Sequence, residues 1–171
     1  IILTFGLLLS GFLLLVSHLG QMDPKITHLM PVLSSPLLSI HVSCVMMAYG
    51  LFSITFACGI YALIIKRKAE EMHLLSQLFL YPAEFLLTAG IFIGAIWANI
   101  SWGRYWGWDP KEVWALITML IYAFAMHSTS FAWLRKPVHY HWFMVLAFLA
   151  VLITYLGVNF FLGGLHSYAN S

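Results

Sequence analysis

Five stretches of this chain are each apolar for about twenty residues or more: 1–19, 42–65, 74–100, 113–133 and 142–162. A helix of about 20 apolar residues covers the roughly 30 Å hydrocarbon thickness of a bilayer. In that medium a spanning segment must satisfy its own backbone N–H and C=O groups, which restricts it to helices and closed barrels. The pattern predicts an all-α, polytopic membrane helix bundle with about five transmembrane helices. Composition agrees, because a chain of 171 residues that is 62% hydrophobic and 8% charged has too little polar surface for a soluble globule. Its formal charge of +2, from eight Lys and Arg dispersed between the apolar runs, makes no patch for nucleic acid. The partner this composition addresses is the lipid bilayer.

The first run has neither an initiator Met nor a basic segment before it, and Ser17-His18-Leu19-Gly20 offers no small-residue cleavage site. It therefore reads as a spanning helix in a piece of a longer protein, not as a signal peptide. Alternation across the bilayer puts Lys66, Arg67, Lys68, Arg135 and Lys136 on one side and Lys25, Arg104 and Lys111 on the other. The positive-inside rule assigns the first group to the cytoplasm. Residues 20–41, 101–112 and 163–171 then share the outer side. Cys44 and Cys58 lie within one apolar run with no CxxC spacing, and both read as packing residues.

The outer segments carry the chemistry. His41 stands where the second span begins and His166 just after the fifth ends, so topology brings both to one face. Between them runs a loop with Trp102, Tyr105, Trp106 and Trp108 in seven residues. Flat aromatic side chains at the boundary suit one wall for a large planar ligand, and imidazoles from either flank suit axial bonds to its iron; that ligand would be haem. The competing reading is an aromatic belt, since Trp and Tyr gather at membrane interfaces generally. His18, His28 and His73 fit interfacial hydrogen bonding, and His139 and His141, beside Arg135-Lys136, fit headgroup contact. Asp109 followed by Pro110, with Glu112 three residues on, also fits the start of a helix: an N-cap, proline at the first helical position and a capping-box acid.

Within the spans, His127 lies fourteen residues beyond Val113, which places it about 21 Å below the outer boundary at 1.5 Å per residue. An imidazole at that depth faces a pathway or makes an interhelical hydrogen bond, for which Ser128 and Thr129 are at hand. Glu84 is the one acid inside an apolar run; it is near the inner end, from where it could reach the interface, and reads as structural or regulatory. Gly90 and Gly94 form a G-x-x-x-G pair that lets another helix approach closely.

Residues 102–117, WGRYWGWDPKEVWALI, resemble the WWD motif of haem-handling proteins in the form carried by the CcsA/ResC cytochrome c synthase proteins of the system II pathway. The resemblance continues through residues 87–98 and 120–127, and includes His41-Val42-Ser43 and the segment 164–168. It spans residues 37–171 as one haem-handling membrane domain and leaves 1–36, a transmembrane helix and outer loop, unassigned. Arg104 and the Ser-Thr-Ser following His127 depart from the pattern. The resemblance implies that His41 and His166 ligate haem iron over Trp102, Trp106, Trp108 and Asp109, and that His127 binds haem within the membrane. It implies haem b as both ligand and substrate, covalently attached to an apocytochrome c bearing a CxxCH motif, as in a holocytochrome c synthase or haem lyase. A CcsB/ResB-type membrane partner, fused or separate, is implied as well. The location implied is the bacterial inner membrane or thylakoid, with the site on the periplasmic or outer face. The alternative is a b-type cytochrome subunit passing electrons from quinol.

Overall fold

The computed structural model of the chain describes residues 6, 7, 10 and 35–157. The chain divides into two compact units, Ile1–Ser34 and Ser35–Ser171, and residues 6, 7 and 10 of the first are helical. Among the described residues of the second unit, helices joined by turns and one loop make up the structure, and no strand occurs. Helix α1, Pro36–Ile64, begins after an extended Ser35 with Pro36 in its first turn, where proline's missing N–H costs nothing. A short turn at Lys66–Lys68 reverses the chain. Helix α2, Ala69–Trp102, carries Glu70 and Glu71 at its positive end, with Lys68 paired to Glu71. It runs on through Pro82, as transmembrane helices can when neighbouring groups take up the freed carbonyl. Helix α3 is Pro110–Met126, and helix α4, Pro137–Leu152, leads into one π turn at Ile153–Gly157.

Three segments are long and apolar enough to cross a membrane: Pro36–Ile64, Lys66–Trp102 and Pro137–Gly157. The protein is thus an integral membrane protein, although the described helices differ from the five expected runs. The 1–19 run and the last residues of the 142–162 run lie outside the described residues. The run expected over 113–133 is corrected: α3 stops at Met126, and at 17 residues it rises only about 26 Å. Beyond it the chain turns, with Ser128 N–H donating to Ala125 O at 3.1 Å and Ser130 N–H to His127 O at 2.9 Å. Ser and Thr at 128–130 favour such local hydrogen bonds over continued helix.

Helix α1 packs most extensively on α2 and also packs on α4. Lipid tails are as apolar as the side chains, so helices here gain from close packing and not from escape from water. Glycines supply the closeness. A Cβ at Gly90 would meet Val45 Cγ2 at 2.8 Å, and one at Gly59 would meet Val145 Cγ2 at 3.0 Å and the His141 carbonyl at 3.2 Å. Gly90 and Gly94 therefore receive α1, and Gly59 of α1 receives α4. At the centre Phe52 of α1 stacks on Tyr122 of α3 at 3.7 Å, both fully buried, beside Leu80, Ala83 and Leu87 of α2 and Met144 of α4. Helices α3 and α4 share a polar clasp: Thr118 Oγ1 and Thr154 Oγ1 are 3.0 Å apart, with the Trp114 carbonyl accepting at 2.8 Å from Thr118.

Phe52→Ala is expected to lower the unfolding free energy by about 3–5 kcal/mol, because the site cannot collapse around the lost ring. Thr118→Val is expected to cost only about 0.6 kcal/mol, the usual worth of an interhelical hydrogen bond in lipid. Denaturant titration in mixed micelles checks the ratio.

Candidate functional site at the tryptophan loop

Helix α2 ends at Trp102, where Gly103 takes the left-handed conformation (φ 72°) and its N–H closes on the Asn99 carbonyl at 2.9 Å. Six residues later Asp109 starts α3. The capping box anticipated from the sequence is present: Asp109 accepts from the Lys111 N–H at 3.0 Å, and Glu112 Oε2 accepts from the Asp109 N–H at 3.1 Å. Glu112 does more than a capping residue does, since the same oxygen also takes the Gly107 N–H at 2.7 Å. One carboxylate thus pins the loop at two points. Asp109 is itself buried, at 6% exposure. Burial pulls the Lys111 ammonium below the ordinary lysine range, against the opposing attraction of Asp109.

This framework sets the aromatic side chains. Trp97 and Trp102 meet edge to face at 4.8 Å on α2, and Trp106 and Trp108 stand perpendicular at 6.1 Å. Trp108 has φ 55°, a left-handed conformation that costs a non-glycine residue about 1–2 kcal/mol, and its indole is 75% exposed. Arg104 lies over the loop, its guanidinium within 3.2 Å of where a Cβ on Gly107 would stand.

His41 belongs to the same end of the bundle. Its Nδ1 lies 2.7 Å from the Gly90 carbonyl oxygen. A carbonyl only accepts, so Nδ1 carries the proton and the ring's lone pair is on Nε2, the arrangement found in metal-binding imidazoles. Gly94, beside this ring, is eight residues before Trp102, so His41 lies about 12 Å along the axis below the start of the loop. The structure thus brings His41, Trp102, Trp106, Trp108 and Asp109 to one end. His166 lies outside the described residues.

His127 is at the opposite end. It caps the C-terminus of α3, about 26 Å from Pro110, and is exposed, which corrects its expected place within a helix. Ser128, buried at 1% exposure, makes the hydrogen bond to α2, accepting from Gln77 Nε2 at 3.2 Å. The structure also places His141 and Glu84 differently from the sequence reading. His141 is not at the headgroups: it is fully buried and its Nε2–H donates to the Ala69 carbonyl at 2.9 Å. His73 is half-buried, its ring 4.2 Å from Tyr140 and 6.1 Å from His141. Glu84 faces the interior at 6% exposure, not the interface. The missed signal was helical spacing, since 73, 76, 80, 84 and 87 fall on one face of α2. Among the described residues no three His, Cys, Asp or Glu side chains form a metal-binding group, and neither Cys44 nor Cys58 is in a disulfide.

A bundle of apolar helices with an aromatic loop and an oriented imidazole at one end defines a polytopic membrane protein of the all-helical class. The family described as cytochrome c assembly protein matches residues 1–166, and the chain belongs to that family. It is 43% identical over 182 aligned residues to Protein NrfI of Wolinella succinogenes, a match covering 98% of this chain and 20% of that protein. It is 35% identical to the cytochrome c biogenesis protein CcsA of Guillardia theta, over 88% of this chain and 60% of the relative. Over 85 residues it is 56% identical to CcsA of Pyropia yezoensis, covering 48% of this chain and 26% of that one. The chain thus spans a fifth to three-fifths of the length of these relatives.

Asp109→Ala is expected to cost about 1 kcal/mol of stability through the lost cap, and Asp109→Asn a few tenths at most, since Asn caps as well. Glu112→Ala frees two loop N–H groups, so faster hydrogen exchange at Gly107 and Asp109 is the outcome that confirms the loop's dependence on it.

Proposed function

We propose that this chain is the haem-presenting part of a cytochrome c synthase, holding haem b as substrate at the outer face while it is joined to an apocytochrome c. Family membership and the CcsA relatives support the reading. The observation that carries it is the His41 imidazole, whose Nδ1 proton the Gly90 carbonyl accepts at 2.7 Å, at the end of the bundle that bears the Trp loop. In this reading His41 and His166 are the axial ligands and Trp102, Trp106 and Trp108 form the wall of the pocket. Asp109 holds that wall in place. The face is extracytoplasmic because Lys66, Arg67, Lys68, Arg135 and Lys136 lie at the other end.

The chemistry asked of the site is an addition. Each CxxCH thiol adds across a haem vinyl group: sulfur bonds to the carbon next to the ring, the thiol proton ends on the terminal carbon, and no electrons are gained or lost overall. The protein's part is to fix the macrocycle with its vinyl edge exposed and to exclude competing reactions. His127 at the cytoplasmic end serves as the entry ligand, its second imidazole supplied by a CcsB/ResB-type partner. A quinol-linked b-type cytochrome needs a haem between facing helices. The interior pair His73 and His141 instead packs on Tyr140, with centroids 4.2 and 5.5 Å from it, and His141 spends Nε2 on a backbone carbonyl.

The test compares the optical spectrum of the purified parent complex with His41→Ala, His166→Ala and His127→Ala. Loss of the low-spin haem spectrum in the two outer variants, restored by added imidazole, is the expected result. Covalent haem on a co-expressed CxxCH substrate should fall in parallel. Parent-like spectra and haem content in all three variants would overturn the assignment and leave the loop an aromatic belt.

A further inference from the structure

The contact between α1 and α2 does two jobs at once, and the second is chemical. A Cβ at Gly94 would stand 2.6 Å from His41 Nδ1, 2.7 Å from Cε1 and 3.4 Å from Cγ. All three of its nearest atoms belong to the imidazole, so the space a side chain would take at 94 is the space the ring occupies. One turn earlier, the Gly90 carbonyl accepts the Nδ1 proton at 2.7 Å. The glycine pair therefore fixes the ring's plane by contact and its tautomer by hydrogen bond, and both constraints come from one turn of one helix.

Resting on the proposed haem reading, we infer that Gly94 and the Gly90 carbonyl are the positioning elements of the outer axial ligand: they set the placement and the tautomer of the His41 imidazole. The comparison with Gly59 isolates the point. A Cβ there meets a valine methyl and a backbone carbonyl, so its role is helix packing alone. At Gly94 the neighbour is the ligand. An outer-shell partner that orients a metal-bound imidazole contributes about 10- to 100-fold to affinity, so Gly94→Ala should weaken haem binding by that factor and convert part of the low-spin spectrum to high-spin.

The experiment is a double-variant cycle on the complete haem-loaded complex, read as optical spectrum and haem affinity. Variants are Gly94→Ala, His41→Gly, and the two together, the last two measured with added imidazole. With the ring removed the obstruction at 94 is gone, so the double variant should match His41→Gly with imidazole, while Gly94→Ala alone is impaired. A Gly94→Ala protein that fails to accumulate, beside a double variant that accumulates and takes haem with imidazole, supports the same conclusion. The inference is overturned if Gly94→Ala is parent-like, or if it impairs both backgrounds equally, as a packing glycine would. Should His41→Gly alone keep the parent spectrum without imidazole, the ligand assignment itself fails, a result separable from failure at Gly94.

Discussion

The outer half of the described bundle depends on how closely α1 can lie against α2. In water, apolar helices are pressed together by the solvent; in lipid that pressure is absent and contact must come from fit. Gly90 and Gly94 remove the atoms that would hold the backbones apart, and Val45 and His41 fill the spaces left. A polar side chain used as a packing knob must satisfy its own donor, because an unpaired N–H in a low-dielectric setting costs more than the packing gains. The Gly90 carbonyl does this for His41. Fit and hydrogen bonding thus arrive together, and an imidazole can stand inside a lipid-embedded seam without weakening it.

The loop above obeys a different rule. It has few residues, crosses from one helix end to the next helix start and must satisfy backbone groups that no helix covers. Glu112 and Asp109 do so from within the first turn of α3, so the loop is tied to the helix it precedes. This pinning makes the strained φ of Trp108 tolerable, since the few kcal/mol gained from the carboxylate bonds offset the backbone cost.

The sequence was most informative where local chemistry decides structure. The cap at Asp109-Pro110 with Glu112 was legible because each residue acts on its near neighbours, and the glycine pair was legible because its spacing has one common use. The apolar runs were legible as membrane helices, but their ends were not. Helix α1 begins at Pro36, ahead of its apolar run, because Pro36 starts a helix and Ser43 can return its hydroxyl to the Ser39 carbonyl at 2.8 Å. Helix α3 stops at Met126, inside its apolar run, because the residues after it make turns. His141 was misread for a third reason. Its burial is set by the Ala69 carbonyl 72 residues away, and no local pattern carries that information.

The two ends of the bundle also bury different groups. At the outer end the indole of Trp108 and the ring of Tyr105 are exposed, at 75% and 61%. At the inner end His127, Arg135 and Lys136 are exposed, while other polar groups are buried between the helices. Tyr140 and His141 are fully buried, Ser76 Oγ lies 3.3 Å from the Tyr140 hydroxyl, and Glu84 is sealed beneath the same face of α2. Side chains of α2 and α4 meet there through Ser76 and Tyr140 and through His141 and the Ala69 carbonyl, so these buried polar groups serve helix contact, just as Gly90 and His41 do in the seam between α1 and α2.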